Sequence, residues 1–141
     1  MAMARNRERQ EKLAKKARDD AKVNYTVTKP GDAVNFPRKG DTVAIHYTAH
    51  LEDGTQIDDS YARSQPIYFV LGGASGVSQV IPGFEQVIPI MSRGEKARLV
   101  IPPDMAYGDL GYPPIIPPNS HITYEIELLS FSSIGTTKEH L

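Results

Sequence analysis

The chain contains no cysteine. This excludes disulfides, thiolate metal sites and a thiol nucleophile, and it fits a reducing compartment. The first residues lack the apolar run of a secretory leader, and no stretch approaches the roughly 20 apolar residues of a membrane span. A soluble, cytoplasmic protein with no membrane contact is therefore expected. Net charge is also nearly absent: 16 Lys and Arg stand against 17 Asp and Glu, a formal −1. A chain so balanced is not, as a whole, a polyanion binder. Its 141 residues suffice for one domain and fall short of two well-buried ones.

Several catalytic signatures are missing too. "HYTAH" spaces His46 and His50 by four, as a helical zinc pair would be, but the flanking alternation reads as strand and no Glu follows the first His. Glu125 and Glu127 share one face, which a solvated strand edge explains better than a carboxylate-pair hydrolase. "LGGASGVSQ" (71–79) is glycine-rich yet lacks the Lys-Ser/Thr of a phosphate loop and reads as a surface loop. No Ser-His-Asp order carries a nucleophile signature. No metal and no cofactor are expected.

What charge there is lies unevenly. Residues 1–22 carry eight Lys/Arg and four Asp/Glu, leaving eight and thirteen for the remainder. The tail is thus +4 and the rest −5, and the shift marks a boundary near residue 22. Leu13 is its only large aliphatic residue apart from methionines, so it has no stripe to bury. The segment reads as a basic, marginally helical tail. A basic arm for RNA, the ribosome or an acidic partner, and a self-association segment, are the other readings of it.

From residue 23 the pattern has period two. "VNYTV" (23–27) alternates. "TVAIHYTAHL" (42–51) places Val43, Ile45, Tyr47 and Ala49 on one face. "EDGT" (52–55) is a hairpin turn in which Asp53-Gly54 supplies positive φ. "QPIYFVLG" (65–72), "EKARLVIP" (95–102) and "HITYEIELLSF" (121–131) alternate likewise, the last with Ile122, Tyr124, Ile126 and Leu128 inward. Half-buried strands of this kind make an antiparallel sheet. "VIPGFEQVIPIM" (80–91) differs. Pro82 suits a first helical turn, Phe84, Val87 and Ile88 share a helical face, and Pro89 stops the helix early. The fold class is α+β, an antiparallel sheet with one short helix on its apolar face.

The stretch "AYGDLGYPPIIPPN" (106–119) holds two proline pairs beside Tyr107, Tyr112, Ile115 and Ile116. The prolines argue against regular strand pairing, so these apolar groups should stay near the surface, where a cluster marks a binding groove. With Tyr47, Ile57, Phe69, Val80, Ile81, Phe84 and Tyr124 they form an apolar, aromatic inventory. Read alone, that inventory is equally a plain core.

"VAIHYTAHLEDGTQIDDS", "VIPGFEQVI" and "MSRGEKARLVIPPDMAYGDLGYPPIIPPNSHITYEIELL" together resemble the FK-binding-protein (FKBP) family of peptidyl-prolyl cis-trans isomerases, over roughly residues 24 to 131. The resemblance implies a twisted antiparallel sheet wrapped around a short helix. The isomerase domain would span 23–132, between the tail 1–22 and a C-terminal tail 133–141. It also implies a proline groove between helix and sheet, overhung by the 106–119 loop. The catalytic residues would be Asp58, whose carboxylate would act on the twisted amide, and Tyr107 and Ile81, whose hydroxyl and backbone N–H would fix the substrate carbonyls. Tyr47, Ile57, Arg63, Ile67, Phe69, Val80, Phe84, Tyr112, Ile115, Ile116 and Tyr124 would bind substrate or macrolide. Phe84 stands where the family often has Trp, Ile57, Ile67 and Tyr124 where Phe is common, and Tyr112 where His is common. Taken by itself, Asp58 is a turn-forming residue in "DDS". The implied activity is rotation about X-Pro bonds in peptides and proteins, a protein-folding reaction, by a monomer that also binds rapamycin- or tacrolimus-type macrolides. A poorly active proline-binding scaffold, or a nucleic-acid- or ribosome-associated protein directed by residues 1–22, are the alternatives.

Overall fold

A computed structural model describes residues 7–9, 11–12, 23–73 and 77–133. Residues 7–9 and 11–12 are helical and exposed. The expectations for the rest of the basic tail, for loop residues 74–76 and for residues 134–141 fall outside the described residues.

Among the described residues six strands form one antiparallel sheet. They are β1 (Asn24–Lys29), β2 (Thr42–Leu51), β3 (Gln56–Asp59), β4 (Ile67–Val70), β5 (Lys96–Ile101) and β6 (Ile122–Ser132). The order is β1-β5-β6-β2-β3, with β4 also on β2. β2 pairs with β6 along its whole length, from Thr42↔Ser132 to Leu51↔Ile122. Its other edge is shared. β4 takes Thr42 to Ile45 and β3 takes Thr48 to His50. The β2–β6 register slips between Ala44 and Ile45, a bulge of the kind that bends a strand and increases its twist.

The inward faces follow the alternation. Val43, Ile45 and Ala49 of β2, Ala97, Leu99 and Ile101 of β5, and Ile122, Tyr124, Ile126 and Leu128 of β6 are all buried. β1 follows it only part of the way: Val23 and Tyr25 are buried, whereas Val27 is 41% exposed. β1 is an edge strand, and its pairing with β5 slips just after Val27. β6 is central, so Glu125 and Glu127 stand on the solvent face of the sheet rather than on a strand edge. β3 does not stand out in the sequence, being four polar-rich residues after the hairpin. It draws Asp58 out of the turn the sequence suggested and into a strand opposite Ala49.

The helix on the apolar face, α1 (Pro82–Val87), starts with Pro at its first position and runs into a 3₁₀ turn at Ile88–Ile90, where Pro89 ends regular α-helix. Gly83, Phe84 and Val87 are its buried residues. Gly83 permits the contact: a Cβ there would lie 2.8 Å from Cδ1 and Cγ2 of Ile101. α1 thereby sits directly on β5, and Phe84 turns toward the aromatic residues of β2 and β6.

Candidate functional site

Between α1 and the sheet lies an open cavity of about 300 Å³. β2 contributes Tyr47 and Ala49, β3 Ile57 and Asp58, β4 Ile67, and β6 Tyr124. Gln79, Val80 and Ile81 come from the segment before α1, and Phe84 from α1 itself. Tyr107, Tyr112, Ile115 and Ile116 come from the loop after β5. Sheet register explains the convergence. Tyr47 and Ala49 alternate to the same side of β2, and Ala49 is flanked by Asp58 of β3 and Tyr124 of β6. A methyl at the centre of that row leaves room that a larger residue would fill.

The floor is aromatic. Phe84 meets Tyr124 edge-to-face, with centroids 4.7 Å apart and planes at 74°. Tyr47 lies 6.4 Å from Phe84 and 6.0 Å from Tyr124. Such tilted contacts are favoured by the ring quadrupoles and fix ring positions. Burial first, then the neighbouring Tyr107 hydroxyl, hold the Tyr124 hydroxyl far above the ordinary phenol range, so it remains a neutral O–H.

The 106–119 loop forms the overhanging wall. As expected from its prolines it forms no regular strand, and it pairs with itself at one isolated bridge. Tyr112 N–H donates to Ile116 O at 2.8 Å and Ile116 N–H returns a bond to Tyr112 O at 2.9 Å. Gly111, at φ 65°, makes this possible, since a Cβ there would stand 2.4 Å from Ile116 O. Ile116 is buried and anchors the loop, while Tyr112 and Ile115 stay 61% and 51% exposed. Tyr107 packs toward Tyr112 at 6.0 Å.

Polar groups in the groove are few. Asp58 accepts from the Tyr47 hydroxyl and from Arg63, and takes a 2.8 Å bond from the Asp59 N–H. Partial burial pushes its pKa up. The bonds from Tyr47 and Arg63, the Asp59 amide and the Arg63 charge outweigh that, and the carboxyl titrates below its ordinary value. Asp58 is thus an ordered carboxylate at neutral pH. Tyr47 shifts the other way: burial and the bond to Asp58 raise its pKa, against the pull of Arg63. The second polar group is the Ile81 N–H. Ile81 is the N-cap of α1, and its N–H has no acceptor among the described residues.

Two residues named from the sequence stand off the groove surface. Phe69 is 3% exposed and sits in the core cluster opposite Val43 of β2, not on the wall. Arg63 does not line the groove and acts on it through Asp58 and Tyr47. Ala49 and Gln79 line the groove without having been named. Ala49 belonged to the inward face of "TVAIHYTAHL", and that alternation was its available signal. Gln79 gave none, since its place depends on how the glycine-rich loop closes. Among the described residues, no group of three or more His, Asp or Glu could hold a metal ion, and no helix is long and apolar enough to cross a membrane.

Comparison with known proteins bears on the whole arrangement. Residues 33–129 match the family model for FKBP-type peptidyl-prolyl cis-trans isomerases. The chain is 50% identical over 103 residues to FK506-binding protein 1A of Emericella nidulans, covering 73% of this chain and 92% of that one. It is 49% identical over 100 residues to FK506-binding protein 1 of Saccharomyces cerevisiae, covering 71% and 84%. With the peptidyl-prolyl cis-trans isomerase FKBP1A of Xenopus laevis it shares 45% identity over 104 residues, covering 74% and 92%.

Proposed function

The chain belongs to the FKBP-type peptidyl-prolyl cis-trans isomerases, and from that premise we propose that the groove between α1 and the sheet seats a prolyl ring and speeds rotation about the preceding peptide bond. Rotation breaks amide resonance and faces a barrier of roughly 18–20 kcal/mol. Uncatalysed, it takes tens to hundreds of seconds. No bond is made or cut, so no nucleophile is required. The enzyme needs only to bind the twisted amide better than either planar form, and each 1.4 kcal/mol of that difference is worth about tenfold in rate.

The twisted amide has lost its planar charge separation and is less polar than the ground state. A floor of Tyr47, Phe84 and Tyr124 suits it, with Val80, Ile81, Ile115 and Ile116 around the ring. The Ile81 N–H and the Tyr107 hydroxyl fix the substrate carbonyls. The Asp58 carboxylate, at the edge of the groove, favours a carbonyl carbon turned toward it. The observation that carries this reading is an aromatic floor in a groove that also holds a tied carboxylate and an N–H with no acceptor among the described residues. Macrolides of the rapamycin or tacrolimus type compete for the same groove, in keeping with the names of the relatives.

Isomerisation of a short Xaa-Pro peptide, followed by NMR exchange with and without such a macrolide, tests the proposal. Acceleration at micromolar enzyme that the macrolide abolishes is the expected result. A folded protein giving no acceleration would overturn the catalytic reading, and macrolide shifts confined to residues outside the groove would overturn the shared site.

A further inference from the structure

The Ile81 N–H, on which the proposed binding mode relies, sits on backbone that no regular structure holds. Residues 79–81 belong to no strand, and Ile81 caps α1 without any side-chain cap. Two side chains bracket this segment and tie it to β4 and the turn that follows. Before it, Gln79 Oε1 accepts the Val70 N–H at 2.9 Å. Just after it, Glu85 Oε2 accepts the Gly72 N–H at 2.8 Å. Val70 ends β4, which among the described residues pairs only with β2. Its N–H is not used by the β2 ladder and goes to Gln79 instead. The same region closes with the Gly73 N–H on Val70 O at 2.9 Å and the Ser78 hydroxyl on Val80 O at 2.8 Å.

Glu85 carries a second sign of a dedicated role. Its other oxygen, Oε1, is buried with no hydrogen-bond partner among the described residues. A buried carboxylate oxygen without a partner costs stability, and such groups call for an explanation. A residue serving only packing would be replaced without loss by an apolar side chain. Here the carboxylate ties Gly72 to α1, one turn after Ile81, whose carbonyl accepts the Glu85 N–H.

We infer that Gln79 and Glu85 are positioning residues: a two-point clamp that holds the Val80–Ile81 backbone at the distance from β4 at which the Ile81 N–H meets a substrate carbonyl. The inference rests on the groove reading above. Neither residue reacts. Glu85 does not line the groove, so its effect must pass through Gly72 and the start of α1. The carbonyl contact is made in both planar and twisted states, so loosening the clamp weakens binding of both. The loss then falls on KM rather than kcat.

The test compares Gln79→Ala and Glu85→Ala with the acceptor-keeping Gln79→Glu and Glu85→Gln. Exchange NMR on an Xaa-Pro peptide gives KM and kcat, with melting curves in parallel. Each alanine variant is expected to raise KM by about fivefold, the scale of one lost hydrogen bond, with kcat within about twofold. The conservative variants should return KM to near the wild-type value. Unchanged KM in folded alanine variants overturns the clamp, as does a fall in melting temperature alone, or conservative variants no better than alanine. Wild-type turnover in the same series tests the isomerase reading separately. Were the wild type inactive, the Ile81 amide resonance of the free protein decides: movement in both alanine variants supports the clamp, and a resonance that stays in place overturns it.

Discussion

Tyr47 on β2 and Asp58 on β3 are joined across the groove edge, the tyrosine hydroxyl donating to one carboxylate oxygen while Arg63 holds the other. The bond crosses a strand pair in which Asp58 stands opposite Ala49, one step round the pleat from Tyr47. It gives the carboxylate a fixed direction. A sequence-local bond, such as the one from the Asp59 N–H, would not do so alone.

Asp58→Ala should therefore separate stability from turnover. The side chain is partly exposed and its partners can turn to water, so the melting curve should shift by no more than about 1 kcal/mol of stability. Peptide isomerisation should fall by roughly tenfold or more, the loss of about 1.4 kcal/mol of twisted-amide stabilisation. A folded variant with full turnover would leave Asp58 a structural strand residue with no part in the reaction.

The pH profile follows from the same pair. The folded pKa of Asp58 lies below its ordinary 3.8. The stability it contributes is thus fully present above that value and is lost as pH falls through the lower, folded pKa. Tyr47 is raised above 10.0, so its contribution holds below that value and goes only as pH rises through the higher, folded pKa. Turnover of the wild type should accordingly be flat from about pH 5 to about pH 8, well inside both limits. An inflection near neutrality, measured with circular dichroism constant, would show that another group governs the rate.

Phe69→Ala is expected to act on the fold. Phe69 is 3% exposed and belongs to the core cluster. Truncation should cost about 3–5 kcal/mol, visible as a large drop in denaturation midpoint. Rate per folded molecule, measured well below that midpoint, should stay close to wild type because the ring is off the groove wall. A selective loss of activity at unchanged stability would mean that Phe69 reaches the substrate.

Gly83→Ala should disturb the site through the helix. The added methyl would meet Ile101 at 2.8 Å inside a packed interface, and overpacking of this kind costs about 1–3 kcal/mol. Displacing α1 moves Phe84 against Tyr124, so aromatic side-chain resonances of both should shift along with a fall in turnover. A variant matching wild type in melting, spectrum and rate would show that the contact relaxes without moving the helix.

How much was legible beforehand depends on the range over which each feature is encoded. The inward faces of β2, β5 and β6 could be read from "TVAIHYTAHL", "EKARLVIP" and "HITYEIELL" because a strand alternates every two residues whatever it pairs with. The turn at Asp53-Gly54 and the short helix between Pro82 and Pro89 were equally local, set by allowed φ and by the amide N–H that proline lacks. The family resemblance then gathered most of the groove residues into one site, since they recur in a fixed order along the chain. Register and closure were decided only in three dimensions. "QIDD" became a strand because β2 offers it an edge. Val27 stays exposed although it alternates with Tyr25, because it lies near the end of an edge strand. Phe69 alternates like a wall residue, yet lies in the core opposite Val43. The 106–119 loop pairs Tyr112 with Ile116 because Gly111 takes positive φ where Ile116 O leaves no room for a Cβ. The ties from Gln79 to Val70 and from Glu85 to Gly72 have no period and no motif. They exist because folding brings a strand-edge N–H and a turn N–H within reach of two acceptors nine and thirteen residues away, a meeting that only the tertiary structure decides.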